Sequence, residues 1–198
     1  MLAGMKAAWV AAVVVATVAT ARAEVGALPG APPEPESTTP DPMSGKLAWA
    51  VGADLTHATT ALANAWGSTA FGEIGLHIDS TTTVGFHADA GILSGSYTPE
   101  FIAYRATLVP IDIGGYASAT GYDRFWAKIF LGVHFDSVTL DMDSADSGFK
   151  TSFGLQLAGG ADIVKLGAHR LGIYIELKTS FDSDVGYVGV GGGVQVRQ

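Results

Sequence analysis

Cysteine is missing from the 198 residues. Its absence excludes a disulfide framework, thiolate metal ligation and the acylated cysteine of a lipoprotein. Charge is scarce as well: 15% of residues are charged, against about 25% in an ordinary soluble domain. Basic residues number 11 against 19 acidic ones. That balance disfavours gripping phosphates, so no nucleic-acid partner is expected. No long helical period follows the first 23 residues, and no later apolar run reaches the roughly 20 residues a helix needs to cross a bilayer.

The first 23 residues have the pattern of a secretory signal. Lys6 supplies a short positive region, Ala7 to Thr20 is apolar, and Ala21-Arg22-Ala23 is a small-x-small cleavage site before Glu24. Cleavage there takes away two basic residues and no acidic ones, shifting the formal charge from −8 to about −10. Residues 24–45 follow as a Pro-rich, disordered linker; six of the eight prolines lie there. Proline fixes φ and removes donors, and the segment has few apolar groups to bury. It is a tether and not a docking motif, since it has no aromatic or basic flank.

From Lys46 the apolar residues recur with period two, the pattern of strands with one apolar face. Leu47, Trp49, Val51, Ala53 and Leu55 alternate with Ala48, Ala50, Gly52 and Asp54. Seven more such segments follow, beginning near Ala70, Val84, Ile102, Phe125, Phe153, Leu171 and Tyr187. Pro110 cannot donate to a ladder, so the fourth strand is expected to end or bulge there. Its apolar face is set as Ile102, Tyr104, Ala106 and Leu108, with Arg105 opposite. Thr56 to Gly67 is a loop with room for a short helix.

Alternation does not say which way the apolar face points. A soluble lipocalin-like barrel that binds an apolar ligand would bury it, whereas a membrane barrel would turn it to lipid. The other faces favour lipid. They are rich in Gly and Ala, as a narrow lumen filled by side chains requires, and they hold nearly all the charges, of both signs. A lone Lys or Arg facing lipid at mid-depth costs about 2–4 kcal/mol. Aromatics gather towards strand ends, with Trp49, Phe125 and Trp126 at one end and Phe135, Phe153 and Phe181 at the other, in the manner of interfacial girdles. The expected fold is all-β: an eight-stranded antiparallel up-and-down transmembrane β-barrel over residues 46–198, preceded by the signal peptide and the tether.

On these features the chain resembles the small eight-stranded outer-membrane barrels, the OmpA/OmpX/OmpW-like proteins. The resemblance is one of architecture. It implies outer-membrane lipid as the surroundings, a periplasmic N-terminus, short periplasmic turns and longer surface loops open to a ligand. The turns would be Asp79–Thr82, Gly114–Asp123 and Val164–His169. The outer loops would be Thr56–Gly67, Leu93–Pro99, Asp136–Phe149 and Asp182–Asp184. Such barrels commonly end in an aromatic residue, whereas this chain ends in Arg197-Gln198.

The chemistry in the sequence is sparse. His77, Asp79, His87 and Asp89 pair two apart on one face of neighbouring strands, a set that suits a divalent ion or a hydrogen-bonded lumen. With no tight ligand motif, we read them as part of a lumen polar network comprising Glu73, His77, Asp79, His87, Asp89, Arg105, Lys128, His134, Glu176 and Lys178. His134 and Ser137 have the residue types of a nucleophilic pair, as a lipid-modifying barrel enzyme would need, but fall on opposite faces of a strand. Asp141 to Asp146 offers carboxylates without the spacing of a calcium loop. Val185 to Gln198 is glycine-rich, but Val194 stands where a third glycine of a phosphate loop belongs. No catalytic residue, metal or cofactor is therefore assigned. The expected role is structural, adhesive or surface-interacting, with the lumen filled.

Overall fold

The computed structural model describes residues 41–60, 64–97, 104–121, 124–141, 147–181 and 187–198. The signal peptide, the tether up to Pro40 and most of the acidic Asp141–Asp146 stretch lie outside them. Eight strands are present: β1 (Leu47–Thr59), β2 (Asn64–His77), β3 (Thr82–Tyr97), β4 (Tyr104–Gly121), β5 (Phe125–Leu140), β6 (Ser147–Leu166), β7 (His169–Phe181) and β8 (Tyr187–Arg197). Each pairs antiparallel with its neighbours in sequence, and β8 closes on β1, from Thr59 opposite Val188 to Ala50 opposite Arg197. Closure gives every strand a partner on both sides.

The period-two pattern sets the faces. Leu55, Phe86 and Ile175 point out, the last two 73% and 72% exposed, while Asp54, His87 and Glu176 on the same strands are buried inside. Outward strand positions between the two rims carry no Asp, Glu, Lys or Arg among the described residues. Charge and hydrogen-bonding groups occupy the lumen; apolar groups clothe the outside. A core of this kind is inside out relative to a soluble domain.

The strands run longer than the sequence pattern indicates, and the connections are correspondingly shorter. Thr56–Thr59 and Asn64–Gly67 are paired strand, so no helix forms at those positions. The expected long turn from Gly114 also disappears, because β4 continues to Gly121, opposite Phe125. At the rim that carries Leu47 and Arg197, here the near rim, the turns are tight: β2 to β3 through 78–81, and β6 to β7 through 167–168, where Gly167 adopts a φ of 65°. At the far rim Tyr97 to Tyr104, Leu140 to Ser147 and Phe181 to Tyr187 bracket longer connections.

The fourth strand corrects the sequence reading. Pro110 neither ends β4 nor bulges it. Ala90 pairs with Ile111 and Leu93 with Leu108, the same register on both sides of the proline. The phase set by Ile111, Asp112 and Ile113 therefore carries back unbroken to Arg105. Ala106 and Leu108 point inward and are fully buried, while Arg105 points outward at the far rim and is exposed. Without a bulge, side-chain direction cannot change along a strand.

The folded unit begins before β1. Asp41 opens a turn in which its carboxylate accepts the backbone N–H of Met43 at 2.8 Å and that of Ser80 at 2.8 Å. The N–H of Gly45 then donates to the carbonyl of His77 at 2.8 Å. This turn clasps the near rim, so the last residues assigned to the linker by composition belong to the barrel.

Candidate functional site: the charged lumen

Inward positions stack into layers. At the far mouth Ala58, Ala65, Leu93, Leu108 and Tyr187 form a buried apolar cluster. Nearer the middle lie the charges. Towards the near rim Ala50, Phe71, Trp126, Ala158 and Tyr174 pack as a second apolar layer. Below it Arg197 grips Asp162 with two nitrogens, at 3.0 and 2.7 Å, and donates to Thr120 at 3.1 Å.

The middle layer is built from two histidines, each set between two carboxylates. His87 Nδ1 lies 2.8 Å from Glu73, its direct cross-strand partner, and Nε2 lies 2.9 Å from Asp89 two residues along. His134 Nδ1 lies 2.8 Å from Asp112, again its cross-strand partner, and Nε2 lies 2.8 Å from Asp136 two residues along. The second Nε2 contact is close but poorly aligned for a hydrogen bond. The same geometry recurs because β3 and β5 each carry His-x-Asp on the inward face, with an acidic residue opposite the histidine.

Lysines complete the layer. Lys128 contacts Glu73, and its ammonium lies 4.6 Å from the centre of the Phe71 ring. Lys178 reaches Asp89 at 3.0 Å and Glu176 at 3.1 Å. Gln156 donates to Asp89 at 2.6 Å. Asp54 accepts from Tyr174 at 2.7 Å and Thr69 at 2.6 Å, and also from Thr56. Charged groups survive in a low-dielectric interior only when paired and hydrogen-bonded in this way.

The structure thus brings together Glu73, His87, Asp89, Lys128, His134, Glu176 and Lys178 from the ten residues read from sequence. Three lie elsewhere. Arg105 is exposed at the far rim, because β4 keeps its phase through Pro110. His77 sits at the near rim, 3.1 Å from the Thr83 hydroxyl. Asp79 caps the β2–β3 turn, accepting the N–H groups of Thr81 at 2.7 Å and Thr82 at 2.8 Å. Asp54, Gln156 and Tyr187, on the polar faces read from sequence but outside the ten, also join the lumen, and Asp112 is a lumen member that sequence reasoning left out. The alternation of Ile111, Asp112 and Ile113 is the signal that would have found Asp112, had the strand not been ended at the proline.

The geometry bears on two further residue sets. His134 points into the lumen and Ser137 outward, so they cannot form a nucleophile and base. Among the described residues no three His, Asp or Glu side chains converge closely enough to chelate a metal directly.

No family model matches the sequence, and no curated protein does. Solved structures do share its fold. Neisserial surface protein A is 15% identical, with a TM-score of 0.51, over 76% of this chain and 96% of that one. Ail, the attachment invasion locus protein of Yersinia pestis, is 11% identical, with a TM-score of 0.57, over 79% of this chain and all of that one. The fold is that of the small eight-stranded outer-membrane barrels.

Proposed function

We propose that this chain is an outer-membrane β-barrel protein, exported by a cleaved signal peptide, with its near rim in the periplasm. Its role is structural or surface-interacting, exerted through the far-rim loops, and its lumen is no passage for solutes. The observation that carries this reading is the inversion of polarity: among the described residues the outward face is apolar and free of Asp, Glu, Lys and Arg between the rims, while the charges are buried inside. Such a surface would aggregate in water but is stable in lipid. The interaction surface is the far rim, where Tyr97 and Tyr104, Leu140 and Ser147, and Phe181 and Tyr187 bracket the connections. The shared fold with Ail, whose name speaks of attachment, supports a surface role.

Fractionation of expressing cells tests the location. The protein is expected in the outer-membrane fraction, migrating faster on a gel before boiling than after, as intact barrels do. Recovery in the soluble fraction would overturn the reading. An epitope inserted within 142–146 is expected to be stained on intact cells, whereas one inserted at the 167–168 turn is expected to need permeabilisation.

A further inference from the structure

In the middle layer, two facing carboxylates each keep one oxygen without a hydrogen-bond partner. Asp89 and Asp112 stand directly opposite each other on β3 and β4. Both point inward and are buried, 4% and 2% exposed. Like charges in direct cross-strand register are destabilising. Each carboxylate spends one oxygen on its neighbours, Asp89 Oδ2 on His87, Gln156 and Lys178, and Asp112 Oδ1 on His134. The other two, Asp89 Oδ1 and Asp112 Oδ2, are buried without a hydrogen-bond partner.

An independent group points at the same place. The hydroxyl of Tyr187 is fully buried and also has no partner. Its ring lies 4.7 Å from that of His134, the residue bonded to Asp112. Its oxygen lies over Gly189, 2.8 Å from where a Cβ there would sit, and Gly189 is the strand partner of Lys178, which holds Asp89. The hydroxyl is therefore directed down into the Asp89–Asp112 layer.

Charge balance says what is missing. Five buried carboxylates, Asp54, Glu73, Asp89, Asp112 and Glu176, face Lys128, Lys178, His87 and His134. With all five ionised and both imidazoles charged, the set carries one more negative than positive charge, which a bound cation or a proton on one carboxyl would remove. Asp136, the remaining carboxylate beside His134, lies opposite Lys150 in the strand register. Three free oxygens beside surplus negative charge suit a hard, oxygen-seeking metal cation. With fewer than three acidic or imidazole ligands close enough to chelate, such an ion would keep water in its shell.

We propose that the lumen binds one hard metal cation, of the alkali or alkaline-earth kind, between Asp89 Oδ1, Asp112 Oδ2 and the hydroxyl of Tyr187. The site is independent of where the barrel is inserted. The apolar cluster at the far mouth makes exchange slow, so the ion is taken up as the barrel closes.

The test uses the full chain refolded into detergent micelles with chelator, then again with CaCl2 or with NaCl. The thermal unfolding midpoint of the wild type is expected to rise by several degrees with one of these salts, at constant ionic strength. Terbium in place of calcium is expected to bind at one ion per barrel, with emission excited through tyrosine. Asp112→Asn removes both the ligand and the repulsion. It is expected to be more stable than wild type under chelator and indifferent to the salt. Tyr187→Phe deletes only an oxygen that has no protein partner; it is expected to fold and to bind roughly tenfold more weakly, the scale of one lost polar contact. Neutralising the acidic far-rim loop, as Asp141→Asn, Asp143→Asn and Asp146→Asn together, is expected to leave the response intact. A wild type indifferent to both salts would overturn the proposal. So would a response that survives both Asp112→Asn and Tyr187→Phe, or one that disappears with the loop variant.

Discussion

Lys178 is the residue on which the middle of the lumen turns. Its ammonium bridges Asp89 on β3 and Glu176 on β7, two buried carboxylates from strands that are not adjacent in the barrel. Lys178→Met keeps most of the volume and leaves both acids uncompensated. It is expected to destabilise the barrel by about 3–5 kcal/mol, read as a lowered urea midpoint in micelles. Arg105 carries the same sign of charge but is exposed at the far rim; Arg105→Ala is expected to change stability by no more than about 0.5 kcal/mol. At the near rim Asp41 supplies a pH-dependent clasp. The N–H groups of Met43 and Ser80 hold its carboxyl below the ordinary aspartate value of 3.8. A depressed folded value means the clasp is fully made above that range and lost as pH falls through it. Protection of the Ser80 amide, its exchange rate taken relative to the intrinsic rate at each pH, is expected to fall below about pH 4 in the wild type, as the carboxyl becomes protonated. In Asp41→Asn that protection is expected to be low and independent of pH.

At the scale of the strand, close approach at glycine governs the closure of the barrel. A Cβ at Gly193, inward on β8, would lie 2.1 Å from the carbonyl oxygen of Ala53 and 2.6 Å from Asp54 Cα. Both are backbone atoms of the adjoining β1, so nothing can swing aside. Gly193→Ala is expected to push β8 off β1 and cost about 1–3 kcal/mol. Gly72 faces outward with nothing within 4 Å of a Cβ; Gly72→Ala is expected to stabilise by about 0.5 kcal/mol through the loss of unfolded-state freedom. Equilibrium unfolding of the pair, each folded by gel shift, separates crowding from flexibility. The same scale shows where sequence reading succeeds and where it stops. The faces of β1, β3, β5 and β7 were legible, because a residue's side of a strand follows from its parity alone. The face of β4 was not. A proline removes one donor, and whether the strand survives that loss depends on the remaining pairs to both neighbours, which parity does not contain. Arg105 was misassigned and Asp112 omitted for this one reason.

The described residues form a closed barrel with its polarity reversed and two buried apolar layers in its lumen, one around Leu93 and Leu108 and one around Phe71 and Trp126. Proteoliposomes containing it are expected to exclude small sugars in a swelling assay. Permeation that grows in Leu93→Gly and Leu108→Gly would place the block at the far mouth. Much of this architecture was set by the residue pattern alone: eight alternating stretches, little charge and no helical period leave few other ways to satisfy every backbone group. The sign of the apolar face was also readable, since charges cluster on the side opposite the valines and leucines. What only the tertiary structure decided is which charges meet. His87 and His134 each look like isolated His-x-Asp pairs in sequence. Their second carboxylates, Glu73 and Asp112, come from other strands through the hairpin register. Register across a ladder is a property of two chain segments at once, set by turn length and closure, so no single stretch of sequence contains it.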